Sequence, residues 1–294
     1  MRKESACASL GSARASKPAG RCGMSMQEIK VRTSLRPRLL PSGLWTIAQR
    51  WNDLLFAHWR VPAAQVEALL PAGLHVDTFD GSAWIGVVPF WMDRIRVRGL
   101  PSIPGARTFP EINLRTYVRD PRTGTPGVYF FSLDGASLLA VLTARSVYRL
   151  PYYWARMHIQ EQPDQSFEFA SSRRFATRPV VFRARYRGLG PTRKLAQVRA
   201  GSLEYFLTER YCLFTYNSAG ELLRANVQHV PWPLEEAQAE IEQNDLPAAF
   251  GFSVANQEPI LYYSRRLAVY LWPPELVAPV RRPHPIPAQA LPSA

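Results

Sequence analysis

Lysine is almost missing from this chain. The 294 residues contain four, Lys3, Lys17, Lys30 and Lys194, and three of them fall in the first thirty positions. Chemistry that begins with a nucleophilic amine needs a lysine whose ammonium is depressed by burial or by a neighbouring charge. Lys194 stands between Arg193 and Leu195 in a polar stretch, where no apolar burial is expected. Arginine cannot substitute, because it stays protonated. Cysteine is scarce too. Cys7 and Cys22 lie near the start and Cys212 stands alone, an odd count without regular spacing. No disulfide framework is expected, and the pattern fits a reducing, cytoplasmic setting. No uncharged apolar run reaches about 18 residues, so no membrane-spanning helix is expected. No glycine-rich phosphate loop follows a strand, which leaves nucleotide binding without support. His58, His75, His158, His229 and His284 form no i, i+4 pair and none adjoins a cysteine. Neither a zinc site nor a cofactor is expected.

The charge is present but lopsided. A net +13 would ordinarily raise nucleic acid or an anionic membrane surface as partner. Residues 1–50, however, hold ten Lys/Arg against two Asp/Glu, so most of the excess belongs to the N-terminal segment. Residues 1–43 are rich in Ser, Ala, Arg and Gly without apolar periodicity, and they read as a disordered basic extension. They lack the apolar stretch of a secretory signal. The segment is either a targeting peptide, a nucleic-acid tail, or the product of an upstream start with Met24 or Met26 as the true first residue. The last reading is preferred, and nucleic acid is the disfavoured partner. Residues 44–274 then form one domain, followed by a Pro-rich tail over 275–294 with no fold of its own.

Within the domain, strand signals dominate. Trp51–Trp59 reads as the first strand, and Pro62 opens a short helix with Val66, Leu69 and Leu70 as its apolar stripe. Leu74–Phe79 and Ala83–Met92 read as strands joined by an Asp80-Gly81 turn. Residues 99–110 are a loop. Val128–Leu133 is a strand, and Asp134 or Ser132 can cap a helix over 136–148 that buries Leu138, Leu139, Leu142 and Val147. Tyr152–Gln160, Ser166–Ser172 and Val180–Tyr186 are further strands. Ser202 caps a helical turn before Arg210–Tyr216, and Leu222–Val230 is a strand. Pro233–Asn244 reads as an amphipathic acidic helix, and Ile260–Trp272 as the last strand. Strand follows strand too often for a doubly wound sheet.

The stretch Pro110–Val118 carries the most information. As a strand, it puts Glu111, Asn113, Arg115 and Tyr117 on one face and Ile112, Leu114, Thr116 and Val118 on the other. A carboxylate, an amide, a guanidinium and a phenol in one row suit either a solvated strand face or the wall of a polar cavity. Glu111 and Arg115 stand about 13 Å apart by strand rise, so each needs another partner. Further candidates are Arg156, beside Trp154 and His158, and Arg210, which shares a face with Thr208 and Cys212 opposite Glu209 and Tyr211. Tyr129, Tyr152 and Tyr153 could line a cavity, although aromatic strand residues are more often plain core. Cys212 reads as a buried inert thiol. Ser132 lacks the glycine-flanked elbow of a hydrolase.

Several long blocks resemble one known family. They are Leu69 to Leu74, Asp77 to Gly81, Gly86 to Phe90, Phe109 to Val118, Gly127 to Asp134, Leu150 to Met157, Phe206 to Tyr211 and Pro231 to Leu234. Over Trp51 to about Pro274 the chain resembles the YqjF-like family of uncharacterised proteins, which looks like a member of the acetoacetate decarboxylase-like superfamily. The resemblance implies a mainly β (α+β) fold, a closed and mostly antiparallel β-barrel with helices outside and a ligand cavity within. It places Ile112 and Leu114 under those outer helices. It also implies that the acidic cavity position is kept as Glu111. The decarboxylases work through a lysine pair just after the helix that corresponds to residues 136–148. This chain reads Tyr148-Arg149-Leu150-Pro151-Tyr152 there, so the imine route is not expected.

The expected function is binding of a small anionic or carbonyl-containing ligand in the barrel. Arg115, Arg156 or Arg210 would anchor it, Asn113, Tyr117 and Tyr129 would line the cavity, and Glu111 would serve as acid or base. A non-catalytic sensing barrel, and a nucleic-acid or membrane-surface binder acting through the basic tail, are the alternatives. A homo-oligomer is left open.

Overall fold

Long strands dominate the computed structural model, which describes residues 41–100, 108–192 and 199–278. The order is β1 (Ile47–Val61), α1 (Ala63–Glu67), β2 (His75–Val76), β3 (Ala83–Val97), β4 (Phe109–Asp120) and β5 (Thr125–Gly135). Then come α2 (Leu138–Val147), β6 (Tyr152–Glu161), β7 (Phe167–Arg173), β8 (Val181–Gly188), α3 (Leu203–Thr208) and β9 (Cys212–Tyr216). The chain continues through β10 (Leu222–Gln228), β11 (Leu234–Asn244), β12 (Ile260–Leu271) and β13 (Glu275–Ala278).

Pairing closes the sheet on itself. The order β5-β6-β7-β8-β11-β12-β1-β3-β4 returns to β5 through the β4–β5 ladder, which makes a ring of nine strands. A second closure shares the β12-β1-β3-β4-β5 wall. There β9 pairs in parallel with β5 at Val128–Leu213 and Tyr129–Phe214, while β10 pairs with β12 at Val227–Leu271 and Gln228–Tyr270. The shared strands therefore have a packed, enclosed cluster on each face, and the period-2 alternation sorts side chains between the two. Leu55, Ala57, Val87, Ile112 and Leu114 pack with Phe169, Phe182 and Tyr186 inside the nine-stranded ring. Leu54, Phe56, Val88, Phe90 and Tyr117 pack with Leu207, Leu213, Ala225 and Val227 inside the second enclosure. Ile112 and Leu114 thus meet the strands β7 and β8 more than the outer helices expected above. Each such aliphatic or aromatic side chain contributes about 1.5–3 kcal/mol by leaving water.

The turn signals hold where local chemistry decides. Asp80 and Gly81 both take positive φ (49° and 72°), and Phe79 and Ser82 exchange both backbone hydrogen bonds across them. That is the two-residue hairpin turn that matches strand twist. The strand before it is only His75–Val76, shorter than Leu74–Phe79. Ser202 caps α3 by accepting from the Tyr205 amide at 3.2 Å.

Three sequence readings need correction. Residues 234–244 form the strand β11, not a helix, because Ala237, Ala239 and Ile241 alternate inward against the nine-stranded core. The outward Gln238 and Glu240 face Arg187 and Arg185 of β8. Glu, Ala and Gln favour helix intrinsically, but a gap between β8 and β12 that only a ladder can fill overrides that preference. Second, α2 exposes Leu138, Leu139, Leu142 and Val147, at 45, 46, 52 and 54%. It buries Val141 instead, with small Ala140 packed alongside. Its cap is Ser137, while Ser132 and Asp134 lie buried within β5. Third, the Pro-rich tail begins as a strand, with β13 adding to the edge of β10. Residues 1–40, 193–198 and 279–294, with all four lysines, lie outside the described residues.

Candidate functional site

β4 presents its polar row to the second enclosure. Glu111, Asn113, Arg115 and Tyr117 are all buried, at 3, 4, 9 and 0% exposure. They share their face with Tyr117 of the core cluster that β9, β10 and α3 cover. Opposite them in register stand Phe90, Val88 and Gly86 of β3. Gly86 in turn faces His58 of β1. A Cβ on Gly86 would sit 2.9 Å from His58 Cδ2 and 3.5 Å from the Tyr117 hydroxyl. Only glycine leaves room there for His58 and Tyr117 to meet over the intervening strand.

They do meet. His58 Nε2 lies 2.6 Å from the Tyr117 oxygen, and the Tyr117 hydroxyl donates to the Leu207 carbonyl at 2.8 Å. The single phenol proton goes to Leu207, so His58 donates from Nε2 and its Nδ1 is left as a bare acceptor. Burial, with the nearby Arg115 charge, holds the His58 imidazole well below its ordinary range, and it is neutral. Arg115 lies over the Phe56 ring at 5.2 Å and the Tyr117 ring at 5.8 Å. His58 stacks on the same Phe56 ring at 5.8 Å.

At the other end of the row, Glu111 Oε2 accepts from Tyr152 at 2.6 Å. Burial pushes its carboxyl up to about 7, and the Asp134 charge adds to this, although hydrogen bonds from Tyr152 and Asn113 oppose the rise. Behind it, Arg173 clamps Asp134 with two bonds at 2.8 and 3.1 Å. The row therefore holds a carboxyl poised near neutrality and a guanidinium, with the neutral imidazole of His58 reaching its far end from β1.

No carboxylate lies within ion-pair distance of Arg115 among the described residues. Several buried polar atoms of this region also lack any hydrogen-bond partner: Arg115 Nε, His58 Nδ1, Asn113 Oδ1, and the indole nitrogens of Trp51 and Trp84. Native interiors leave few such atoms bare, and a cluster of them calls for a ligand or ordered solvent.

The other candidates stand elsewhere. Arg210 is spent on structure: it donates to Asp77 at 2.7 Å and to the Phe206 carbonyl at 2.8 Å. Arg156 is exposed on β6. Tyr129 packs with the nine-stranded core and edge-on against Phe131, on the face away from the row. Cys212 is buried and donates to the Pro126 carbonyl. His58, Trp84 and the role of Tyr152 were not found by sequence reasoning. Their partners lie 59 and 41 residues away for His58 and Tyr152, so no local spacing marks them. The one local hint was Gly86 inside an otherwise bulky strand. Among the described residues, no group of three or more His, Cys, Asp or Glu is placed to hold a metal ion, and no helix is long and apolar enough to cross a membrane.

Solved structures share this architecture. An acetoacetate decarboxylase-like enzyme from Sphingomonas wittichii RW1 superposes with a TM-score of 0.56 at 14% identity, covering 83% of this chain and 99% of that one. The enduracididine biosynthesis enzyme MppR, complexed with pyruvate, gives 0.53 at 14% identity over 83% and 97%. Acetoacetate decarboxylase from Legionella pneumophila gives 0.52 at 13% identity over 83% and 92%. At such identities the likeness is one of fold, an acetoacetate decarboxylase-like barrel. In sequence, the uncharacterised protein YqjF of Bacillus subtilis (strain 168) is 42% identical over 234 residues, which span 80% of this chain and 93% of that protein. The DUF2071 family, described as an uncharacterised conserved protein, matches residues 48–268, and the chain belongs to that family.

Proposed function

We propose that the second enclosure binds a small organic anion, a carboxylate or carbonyl compound, with Arg115 as its anchor. The observation that carries this reading is the buried Arg115 guanidinium without a carboxylate partner among the described residues. A buried unpaired charge costs several kcal/mol, and a bound anion offsets that cost. MppR, of the same fold, is known as a pyruvate complex, which supports a small 2-oxo acid as a first probe. Asn113 and Tyr117 flank the anchor on the same face of β4, and Glu111, at the far end of that face, is assigned the part of acid or base for a ligand long enough to span the row. The imine chemistry of lysine-dependent decarboxylases is not part of the proposal. Borohydride reduction in the presence of a β-keto acid should leave the mass of the protein unchanged.

The test is Arg115→Met. Saturation-transfer NMR with pyruvate and propionate should show binding to the wild type and at least a tenfold loss in the variant. The same substitution should hold or raise the melting temperature, because it removes a buried charge whose desolvation no carboxylate offsets. Equal binding by both proteins would remove the proposal.

A further inference from the structure

The bare atoms around Arg115 are not all of one kind, and their mixture narrows the ligand class. Arg115 Nε is a donor without an acceptor, whereas His58 Nδ1 and Asn113 Oδ1 are acceptors without a donor. All three side chains are more than nine-tenths buried. Arg115 and His58 lie against the same two rings, the guanidinium carbon 5.2 Å from the Phe56 centroid and 5.8 Å from that of Tyr117, the imidazole 5.8 and 5.9 Å from them. One small molecule can reach both.

A plain 2-oxo acid would satisfy only half of this site. Its carboxylate and carbonyl are acceptors, so they suit Arg115 and leave His58 Nδ1 and Asn113 Oδ1 as bare as before. A hydroxyl beside the carboxylate supplies the missing donor. The His58 tautomer cannot adapt instead. Tyr117 gives its proton to Leu207, so Nε2 must keep its own, and the Arg115 charge and full burial disfavour a second proton on Nδ1. We propose that the ligand is a small hydroxycarboxylic acid, its carboxylate on Arg115 and its hydroxyl donating to His58 Nδ1, with Asn113 Oδ1 available to a further hydroxyl or amide. This rests on the anion reading above and sharpens it from any small acid to one that carries a donor at the second or third carbon.

Two matched series test it on the full chain: lactate, pyruvate and propionate, then 3-hydroxybutyrate, acetoacetate and butyrate, with both enantiomers of each hydroxy acid. At least one hydroxy acid should bind tenfold or more tighter than the oxo and unsubstituted members of its series, since a buried acceptor left unpaired is penalised by about that much. In His58→Phe the three members should bind within about threefold of one another, while still depending on Arg115. Because that variant also loses a bond to Tyr117, imidazole ¹⁵N spectra of the wild type supply a second reading. The free protein should show His58 protonated at Nε2 alone, and the hydroxy acid should shift the Nδ1 signal while the oxo acid leaves it in place. An oxo acid that binds as tightly as the hydroxy acid, or an Nδ1 already protonated, overturns this inference and leaves the anion site standing. No Arg115-dependent binding of any of the six overturns both.

Discussion

Glu111 shows what burial does to one residue. Its carboxyl titrates near 7 in the fold, against an ordinary value of 4.5. Between those values the folded chain keeps a proton that the unfolded chain has lost, so stability falls as pH rises through that window and is level above it. The size is about 3 kcal/mol, an order-of-magnitude figure. His58 acts in the opposite direction, because its folded imidazole is depressed and stability is lost as pH falls below about 6.5. The two overlap, so the comparison is between variants. Urea unfolding at pH 5, 6, 7 and 8 should show the gap between Glu111→Gln and wild type moving in favour of the variant as pH rises, and a constant gap would contradict the assignment. At the same scale Gly86→Ala should cost about 1–3 kcal/mol by overpacking, because the new methyl lands 2.9 Å from a fully buried imidazole. Chemical denaturation reads that cost directly. These effects were half legible in the chain. Glu111 and Arg115 stood out as polar residues in an alternating strand, but the partner that gives His58 its meaning comes from another strand.

At the scale of elements, β4 and β11 make an instructive pair. Both alternate, yet residue preference points to a strand for β4 and to a helix for β11. β4 is rich in Ile, Leu, Thr, Tyr and Val, whose β preference agrees with the period. β11 is built of Glu, Ala and Gln, whose helical preference masks a period of two that only Ala237, Ala239 and Ile241 carry. The decision was made by the open ladders of β8 and β12 on either side. α2 lies where its periodicity predicts but buries Val141 in place of the leucine stripe, because periodicity names an apolar stripe and not the side from which the sheet approaches. Elements are also tied by ions. Asp77, just after β2, accepts from Arg119 of β4 and from Arg210 at the end of α3. Arg210 is almost wholly buried, so removing its partner strands a charge. Asp77→Ala should therefore destabilise by about 3 kcal/mol, whereas Arg119→Ala, at the exposed end of the same network, should cost under about 1 kcal/mol. Differential scanning calorimetry on the two variants separates them.

For the molecule as a whole, the described domain closes on itself near its ends. Thr46 Oγ1 meets the Tyr148 hydroxyl at 3.1 Å, Trp45 packs edge-on against Tyr270, and the Trp272 indole donates to the Gly43 carbonyl at 3.3 Å. A chain of residues 41–278 should thus melt within about 2 °C of the full chain. Starting it at residue 50 should lower the midpoint by several degrees, at about 2–4 °C per kcal/mol for a domain this size. Circular dichroism melts of both truncations decide it. By itself the sequence determined the scarcity of amines, the strand-rich composition, the hairpin turn at Asp80-Gly81 and the row on β4, because each follows from residue type and local spacing. Only the tertiary structure decided that a second closure covers this row, that Arg210 is committed to Asp77 while Arg115 is not, and that His58 and Tyr117 meet across Gly86. Those depend on which strands lie side by side, and ladders between strands far apart in the chain are set by the packing of the whole barrel.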